Sequence, residues 1–391
     1  MADRCEYPVI LVHGMFGWGE GEGINRKIPY WGASTGDLVD FIRECGAKEC
    51  YAASVSPISS AWDRACELYA QLTGTRVDYG KAHSQKYNHR RYGRTYEKPL
   101  FDSWSAEKKI HLIGHSFGGN TVRLLVHLLA NGAKEEQEAT PEDEISGLFT
   151  GGKKDWVCSV VTLCSLHNGT LAFDVCNRYH IMPVLEGTAY NYAGIVGRTR
   201  LNGKFVDFHM EEYGLSNTPG KKDALPLRSV KRQLKKTDDS IRYDMSYEGA
   251  GKLNERIEIS DNVYYFSYAF NAVGKEPGSK KYKPLYISFP FLKATSTLLL
   301  YDDRRFNSQT EDRFEKFAND GLVNIWSAKY PSDEPHKEYD PENIVPGIWN
   351  VMPVQQGDHG AAIGLMTDSE KTHKLYKEIY DLISFAESES R

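Results

Sequence analysis

Four short apolar runs along the chain predict buried strands. The first two cover 7–13 (YPVILVH) and 109–114 (KIHLIG), and each is followed by glycine or ends in it. The other two cover 156–164 (WVCSVVTLC) and 262–268 (NVYYFSY). Because apolar residues fill consecutive positions rather than alternate ones, these runs are typical of strands that are buried on both faces.

Two segments with helical spacing accompany these strands. Residues 121–130 (TVRLLVHLLA) follow the second strand closely and stop at Asn131-Gly132, which is a signal for a helix C-terminus. Residues 368–387 place apolar side chains three to four positions apart, as an amphipathic helix does. Strands that alternate with helices predict an α/β fold with a mostly parallel central sheet and helices on both of its faces.

Two long stretches lack this regular alternation. Residues 56–100 are rich in histidine, tyrosine and arginine and have weak periodicity. Residues 165–240 mix apolar patches with basic polar residues and are too long for an ordinary connection. We therefore expect a single domain over 1–391 that carries two insertions.

Composition and charge exclude several classes of protein. The chain is 40% hydrophobic and 26% charged, which are values of a globular protein, and its net charge of -5 argues against a nucleic-acid-binding protein. No apolar run reaches about 18 residues, so we expect no membrane-spanning helix. The seven cysteines cannot all pair within one chain; we expect mostly small buried thiols, with a Cys45–Cys50 bridge as the alternative.

The motif Gly114-His115-Ser116-Phe117-Gly118 lies between a predicted strand and a predicted helix. Glycines two positions before and after a serine permit the sharp strand-to-helix turn that exposes a nucleophilic hydroxyl. A serine hydroxyl needs a neighbouring base to accept its proton. Ser116 is therefore the predicted nucleophile, with an acid and a histidine expected downstream.

We predict His359 as the base, because glycines flank its sequence QGDHGAA as they would in a mobile loop. The other histidines in the second half of the chain fit a surface position or carry no motif: His180, His209, His336 and His373. Asp320, in FANDGLVN, precedes a glycine turn and an apolar strand and is the predicted acid that orients the imidazole. Its rivals are Asp302 and Asp303, in a charged turn, and Asp358, which is adjacent to His359.

The tetrahedral intermediate of ester cleavage needs two backbone N–H donors for its oxyanion. We expect one from Phe117, the residue after the nucleophile. The other is expected from Met15, because glycines on both sides of it in HGMFGWG let the backbone approach the substrate.

Asp63, His83 and His89 in the first insertion supply oxygen and nitrogen donors that suit zinc. On their own they are a weak signal, since histidines scattered in a polar loop are usually only solvated. A closed tetrahedral site needs a fourth ligand from elsewhere in the chain.

The blocks HGMFGWG, YWG, PISSAWDRACELYAQL, VDYGKAHSQKYNHRRYGRTY and NDGLVN together resemble the zinc-containing thermoalkalophilic lipases of bacilli and their staphylococcal relatives. The resemblance covers nearly the whole chain and implies an α/β-hydrolase fold, a helical lid within 165–240, and secretion. It implies that Asp239, with Asp238 as its adjacent rival, completes one structural Zn²⁺ site. It likewise implies the triad and oxyanion donors named above.

Several positions depart from that family's pattern. The residue after the nucleophile is Phe117, where relatives commonly have a polar residue. Many relatives bind calcium through acidic residues just after the catalytic histidine, whereas here 360–364 read GAAIG, so we expect no Ca²⁺ site of that kind. Met1–Arg4 show no apolar core of a secretion signal, and any such signal is expected upstream.

Taken together, these features predict a secreted serine carboxylester hydrolase that acts on water-insoluble esters such as triacylglycerols. Its substrate is a lipid or other ester, and a synthetic polyester surface is a further substrate to test. The alternatives are a short-chain esterase or polyesterase without true lipase activity, a zinc-dependent hydrolase, and a hydrolase-fold binding protein that is not an enzyme.

Overall fold

The computed structural model describes residues 5–173, 204–214, 227–234, 236–279, 281–301 and 317–391. The strands are β1 (Val9–Val12), β2 (Cys50–Ala53), β3 (Arg76–Asp78), β4 (Tyr92–Thr95), β5 (Ile110–His115), β6 (Val157–Leu163), β7 (Tyr264–Tyr268), β8 (Phe270–Asn271), β9 (Val273–Lys275), β10 (Tyr282–Pro284), β11 (His336–Glu338), β12 (Trp349–Val351) and β13 (Gln355–Gln356).

The described α-helices are α1 (Leu38–Cys45), α2 (Ala61–Thr73), α3 (Lys81–Tyr87), α4 (Phe117–Asn131), α5 (Lys134–Ala139), α6 (Leu227–Leu234), α7 (Ile241–Asp244), α8 (Tyr247–Arg256), α9 (Pro290–Tyr301), α10 (Ile325–Lys329) and α11 (Ser369–Ser390). Two short 3₁₀ helices cover Gly23–Arg26 and Ala361–Ile363. Within the described ranges, no helix is both long enough and apolar enough to cross a membrane.

Seven parallel strands form the central sheet in the order β11-β12-β7-β6-β5-β1-β2. The four predicted strands are β1, β5, β6 and β7, which are adjacent to one another in this sheet, and the two predicted helices are α4 and α11. The predicted α/β fold with a mostly parallel sheet is therefore confirmed.

Alternate side chains of β1 enter two different cores, which explains the unbroken apolar run. Ile10 and Val12 belong to the core beneath α2 and α4, whereas Val9 and Leu11 belong to the core beneath α1 and α11. Helices therefore cover both faces of the sheet, as its composition requires.

The first predicted insertion, 56–100, contains more regular structure than its sequence suggested. Helix α2 is buried along most of its length and packs on α4 in the main core. Its apolar pattern is broken because Asp63, Arg64 and Glu67 are themselves buried. The buried charges hide the helical periodicity that a surface helix would display.

The second predicted insertion, 165–240, is described only in part. Residues 204–214 and α6 lie in this region and pack with Ile58 in a small separate core. Residues 174–203, 215–226 and 235 lie outside the described part of the chain, so the predicted lid largely falls there, as does His180. Asp302 and Asp303 lie outside it as well, within 302–316.

A carboxylate near the end of α11 holds the first residues of the described chain. Glu387 accepts hydrogen bonds from the backbone N–H groups of Glu6 and Tyr7 at 3.0–3.1 Å and from the thiol of Cys5 at 3.0 Å. The pKa of this carboxyl is held at about 2, because hydrogen bonds, including one from His111, outweigh its burial. This clamp joins the two ends at the amino edge of the sheet.

The six described cysteines are all free thiols. Cys45 and Cys50 are among them, so the alternative bridge between these two residues is wrong.

Candidate active site and metal centre

Ser116 stands at the turn between β5 and α4 in a strained backbone conformation, with φ 56° and ψ -127°. A side chain at Gly118 would place its Cβ 2.1 Å from the carbonyl oxygen of Val12, and one at Gly119 would lie 2.0 Å from Ser165 Oγ. Only glycine fits at these two positions. The turn therefore brings the serine to the carboxyl edge of the sheet, where active sites of α/β folds form.

His359 and Asp320 are joined by two hydrogen bonds. The imidazole Nδ1 donates to Asp320 Oδ2 at 2.8 Å, and the backbone N–H of His359 donates to the Asp320 carbonyl at 2.8 Å. The second carboxylate oxygen accepts the backbone N–H groups of Leu322 and Val323 at 2.9 and 2.7 Å. The acid is thus fixed by its own loop and holds the ring in one tautomer.

The rival acid Asp358 has a different task. One of its oxygens accepts the N–H groups of Gly360 and Ala361 at 3.1 and 3.0 Å, and the other accepts that of Ser288 at 2.8 Å. Its carboxylate ties the loop after the histidine to the segment before α9, whereas the carboxylate of Asp320 is the one that is hydrogen-bonded to the imidazole.

Ser116 and His359 open into the same apolar cavity of about 270 Å³. Its walls come from the loop after β1, the segment after β6, the end of α7, the start of α9, the loop after Asp320 and the loop after His359. The apolar lining residues are Met15, Phe16, Leu166, Ala172, Phe173, Met245, Phe289, Phe291, Leu292, Leu322, Val323, Ile363 and Leu365. Such a wall suits an acyl chain or another hydrophobic group.

The loop after β1 has its other N–H groups occupied. The N–H of Gly14 donates to the Tyr30 hydroxyl at 3.0 Å, that of Phe16 to the Pro57 carbonyl at 3.0 Å, and that of Gly17 to the Gly14 carbonyl at 3.2 Å. No acceptor for the N–H of Met15 occurs among the parts of the chain that the structure describes.

Two N–H groups are therefore available beside the serine. A Cβ on Gly14 would lie 2.7 Å from Ser116 Cβ, which shows how closely the loop approaches the nucleophile. Phe117 is the first residue of α4, where the N–H has no partner within the helix. Both predicted oxyanion donors thus flank Ser116.

A buried tyrosine–histidine pair supports these loops and was missed in the sequence. The Tyr30 hydroxyl accepts the N–H of Gly14 and donates to His115 Nδ1 at 2.7 Å, and His115 Nε2 donates to the His359 carbonyl at 3.1 Å. Burial holds the pKa of His115 well below its usual value, so the ring is neutral. The YWG block was the available signal for Tyr30.

Asp63, His83, His89 and Asp239 converge although they come from four separate segments. His83 Nε2 lies 3.4 Å from Asp63 Oδ1 and 3.3 Å from Asp239 Oδ2, and His89 Nε2 lies 3.3 Å from the same Asp239 oxygen. Asp238, the rival of Asp239, is exposed to solvent, whereas Asp239 is buried.

The donor atoms of this cluster fit a tetrahedral cation. With metal–ligand distances of roughly 2.0–2.1 Å, neighbouring ligands of a tetrahedron lie about 3.3–3.4 Å apart. Both oxygens of Asp63, one of Asp239 and both Nε2 atoms are buried and have no hydrogen-bond partner within the described ranges. Buried polar atoms without partners are costly, and a shared cation would satisfy all of them.

Charge and orientation in the cluster agree with that reading. Burial lowers the pKa of His83, yet Asp239 and Asp63 raise it to about 9, so the two carboxylates draw positive charge into the site. His89 Nδ1 donates to the Arg90 carbonyl at 2.9 Å, which leaves Nε2 free to bind a metal.

The three described histidines that were considered beside His359 lie away from the active site. His336 is exposed and stacks on Tyr330, and His373 contacts the carbonyl of Thr35. His209 is buried between Glu22 and Glu67, at 3.2 and 3.1 Å. It anchors residues 204–214 to α2 and plays no direct part at Ser116.

A family model described as "Lipase-like, C-terminal domain" matches residues 5–387. Lipase 1 of Staphylococcus aureus (strain MRSA252) is 34% identical over 379 residues, which is 96% of this chain and 53% of that protein. This chain thus spans about half the length of the curated relatives that it matches.

Solved structures resemble the chain over nearly its whole length. Staphylococcus hyicus lipase superposes with a TM-score of 0.82 at 32% identity, covering 99% of this chain and 97% of that one. EstA from Clostridium botulinum gives a TM-score of 0.76 at 32% identity, covering 99% and 88%.

Proposed function

Because this chain belongs to the family described as "Lipase-like, C-terminal domain", we propose that it is a serine carboxylester hydrolase acting on water-insoluble esters such as triacylglycerols. The observation that carries the proposal is the hydrogen-bonded Asp320–His359 pair that shares an apolar cavity with the strained Ser116. The match to proteins named lipases supports the same chemistry.

In the proposed mechanism, Ser116 Oγ attacks the ester carbonyl while His359 Nε2 accepts its proton. Asp320 stabilises the imidazolium through the Nδ1 hydrogen bond, and the N–H groups of Met15 and Phe117 bind the oxyanion. His359 then donates the proton to the departing alcohol and leaves an acyl group on Ser116. Water, deprotonated by the same imidazole, releases the acid and restores the serine.

Replacing the nucleophile tests this directly. Ser116→Ala should lower kcat on ester substrates by on the order of 10⁴–10⁶ while the fold stays intact. His359→Ala should have a comparable effect, and His336→Ala, a substitution of an exposed histidine, is the matched control that should retain wild-type turnover. Near wild-type turnover in purified Ser116→Ala would end the serine-hydrolase proposal.

The apolar wall of the cavity supports hydrophobic acyl groups as substrates, and polyesters are the polymeric substrate class to test. We propose further that the segment within 165–240 acts as a lid, and that lipid surfaces favour its open form. Initial rates on esters of increasing chain length, above and below the solubility limit, separate a lipase from a short-chain esterase. If the rate rises with substrate concentration only below the solubility limit, and only for short-chain esters, the short-chain esterase is favoured.

One zinc ion held by Asp63, His83, His89 and Asp239 is proposed to be structural. Four protein ligands close a tetrahedron and leave no position for a reactive water, which disfavours a zinc-dependent hydrolase. A serine-directed phosphonate distinguishes the two, since a zinc hydrolase would keep its activity. Secretion is proposed from the same family relationship.

A further inference from the structure

Arg64 is a fully buried cation next to the predicted zinc ligand Asp63, and the proposed mechanism does not use it. It lies on α2, and all three kinds of guanidinium nitrogen are engaged. Nη2 donates to the carbonyl of His13, Nη1 to that of Ser56 at 2.6 Å, and Nε to Thr121 Oγ1 at 2.9 Å. These acceptors belong to three segments that surround the nucleophile.

The first two contacts hold the loop that carries Met15. Arg64 binds the oxygen of the His13–Gly14 peptide, while the nitrogen of that peptide donates to Tyr30. The next oxygen, that of Gly14, accepts from His13 Nδ1 at 2.9 Å and from the backbone of Gly17 at 3.2 Å. Because a peptide N–H points away from its C=O, fixing this oxygen aims the N–H of Met15 toward the nucleophile.

The contact with Ser56 supports the far end of the same loop. Arg64 binds the Ser56 carbonyl, and the following carbonyl, that of Pro57, accepts the N–H of Phe16 at 3.0 Å. One guanidinium group thus fixes both ends of the segment around Met15: it binds the carbonyl of His13 directly and supports Phe16 through the Ser56–Pro57 backbone.

The contacts of Arg64 with Thr121 and with the Phe117 ring hold the start of α4, which carries the second oxyanion donor, the N–H of Phe117. Thr121 Oγ1 accepts from Arg64 and donates to the Phe117 carbonyl at 3.2 Å, within the first turn of α4. The guanidinium carbon also lies 5.4 Å from the centre of the Phe117 ring, at cation–π distance. A planar group with several donors can hold both halves in one geometry, which an ammonium group cannot.

Stability alone does not explain this residue. Within the described ranges no carboxylate lies at salt-bridge distance from Arg64, and its direct partners are carbonyls, a hydroxyl and an aromatic face. The nearby negative charge of Glu67, further along α2, offsets only part of the cost of burial. Burying a charge without an ion partner is expensive, and hydrophobic replacements of buried charges are often neutral or stabilising.

We propose that Arg64 is a positioning residue that aligns the N–H groups of Met15 and Phe117 into one oxyanion hole. The role rests on the proposed serine-hydrolase function. Through α2 it also connects the zinc-ligand segment to the active site, since Asp63 and Arg64 are neighbours in the same helical turn.

Arg64→Lys and Arg64→Met test the alignment. Since a single oxyanion donor is worth about 10²–10³ in kcat, and misplacement by about 1 Å costs about 10²-fold, we expect kcat to fall about 10- to 100-fold in both variants. KM should change less than about twofold, because the apolar cavity is untouched. The affinity for an alkyl boronic acid, whose tetrahedral serine adduct occupies the oxyanion hole, should fall in parallel with kcat.

Arg123→Lys is the matched control. Arg123 is another buried arginine of the same core, but it binds Glu334 and Asn254 away from Ser116. This variant is expected to lower the melting temperature without changing boronate affinity. The concentration of active sites is titrated with a phosphonate, so that each rate refers to folded protein. If Arg64→Met does not fold, Arg64→Lys alone tests the proposal.

Wild-type kcat in folded Arg64→Lys, or a loss of kcat with unchanged boronate affinity, overturns the positioning role. If Ser116→Ala is inactive in the same series, the serine-hydrolase function survives that result. Activity that persists in Ser116→Ala overturns the function itself, whatever the arginine variants do.

Discussion

Removing zinc should destabilise the protein before it abolishes catalysis. The four proposed ligands lie on α2, on α3, in the loop after α3 and at Asp239, more than a hundred residues further along the chain. A metal bound by them would therefore tie the first insertion to the segment before α7. A metal that binds only the folded state stabilises it by about 4.1 kcal/mol when free zinc is near 1,000 times Kd.

That stabilisation converts into a measurable temperature. Unfolding entropy near 2.1 cal/mol/K per residue gives about 0.8 kcal/mol per kelvin for this chain, so a loss of about 4 kcal/mol lowers Tm by about 5 °C. Calorimetry after dialysis against dipicolinate, with zinc counted by mass spectrometry, measures both quantities. His83→Ala should reproduce the shift.

Asp238→Ala is the matched control, because it removes the adjacent exposed carboxylate and should leave both zinc content and Tm unchanged. Ester hydrolysis at low temperature should persist in the metal-free protein. If that protein kept its full Tm and lost all activity at once, the zinc would be catalytic and the structural role wrong.

Three further changes have distinct expected outcomes. Gly118→Ala puts a methyl group 2.1 Å from a main-chain oxygen of β1 and should cost at least about 1–3 kcal/mol in urea unfolding, whereas Gly251→Ala, in open space on α8, should be neutral or stabilising. Burial lowers the pKa of His209, but two glutamates raise it to about 10, above its unfolded value of 6.5. The protonated ring therefore contributes its full stabilisation below pH 6.5 and loses it as the pH rises through 10. The urea midpoints of wild type and His209→Gln should accordingly converge between pH 7 and 10. Tyr30→Phe removes the hydroxyl that links the oxyanion loop to His115 and should lower kcat about 10-fold. Because two buried partners are left unsatisfied, it should also cost about 1–3 kcal/mol of stability; a fall in Tm with normal kcat would contradict the role in catalysis.

The central sheet was predictable because its strands are uniform. In β1, β5 and β6 every side chain is buried, so hydrophobicity alone marks the element. The edge strand β11 and its neighbour β12 have three residues each and owe their place to pairing with adjacent strands, which no local pattern records.

The candidate site was predictable where a motif is contiguous in sequence. The serine turn and the glycine-flanked His359 carry their own signals, whereas Arg64 and Tyr30 act through carbonyls and hydroxyls of distant segments. Their partners are chosen by the folded backbone, so nothing in their own sequence neighbourhood announces the role.

The clamp at Glu387 has a practical consequence for attaching the protein to solid supports. It gathers Cys5, Glu6 and the end of α11 at the amino edge of the parallel sheet, while Ser116 lies beyond the carboxyl end of β5. A tether attached at either end of the described chain is therefore on the side of the protein opposite Ser116, and the cavity faces away from the support. Protein immobilised in this way would present its apolar cavity to an oil droplet or a polymer film.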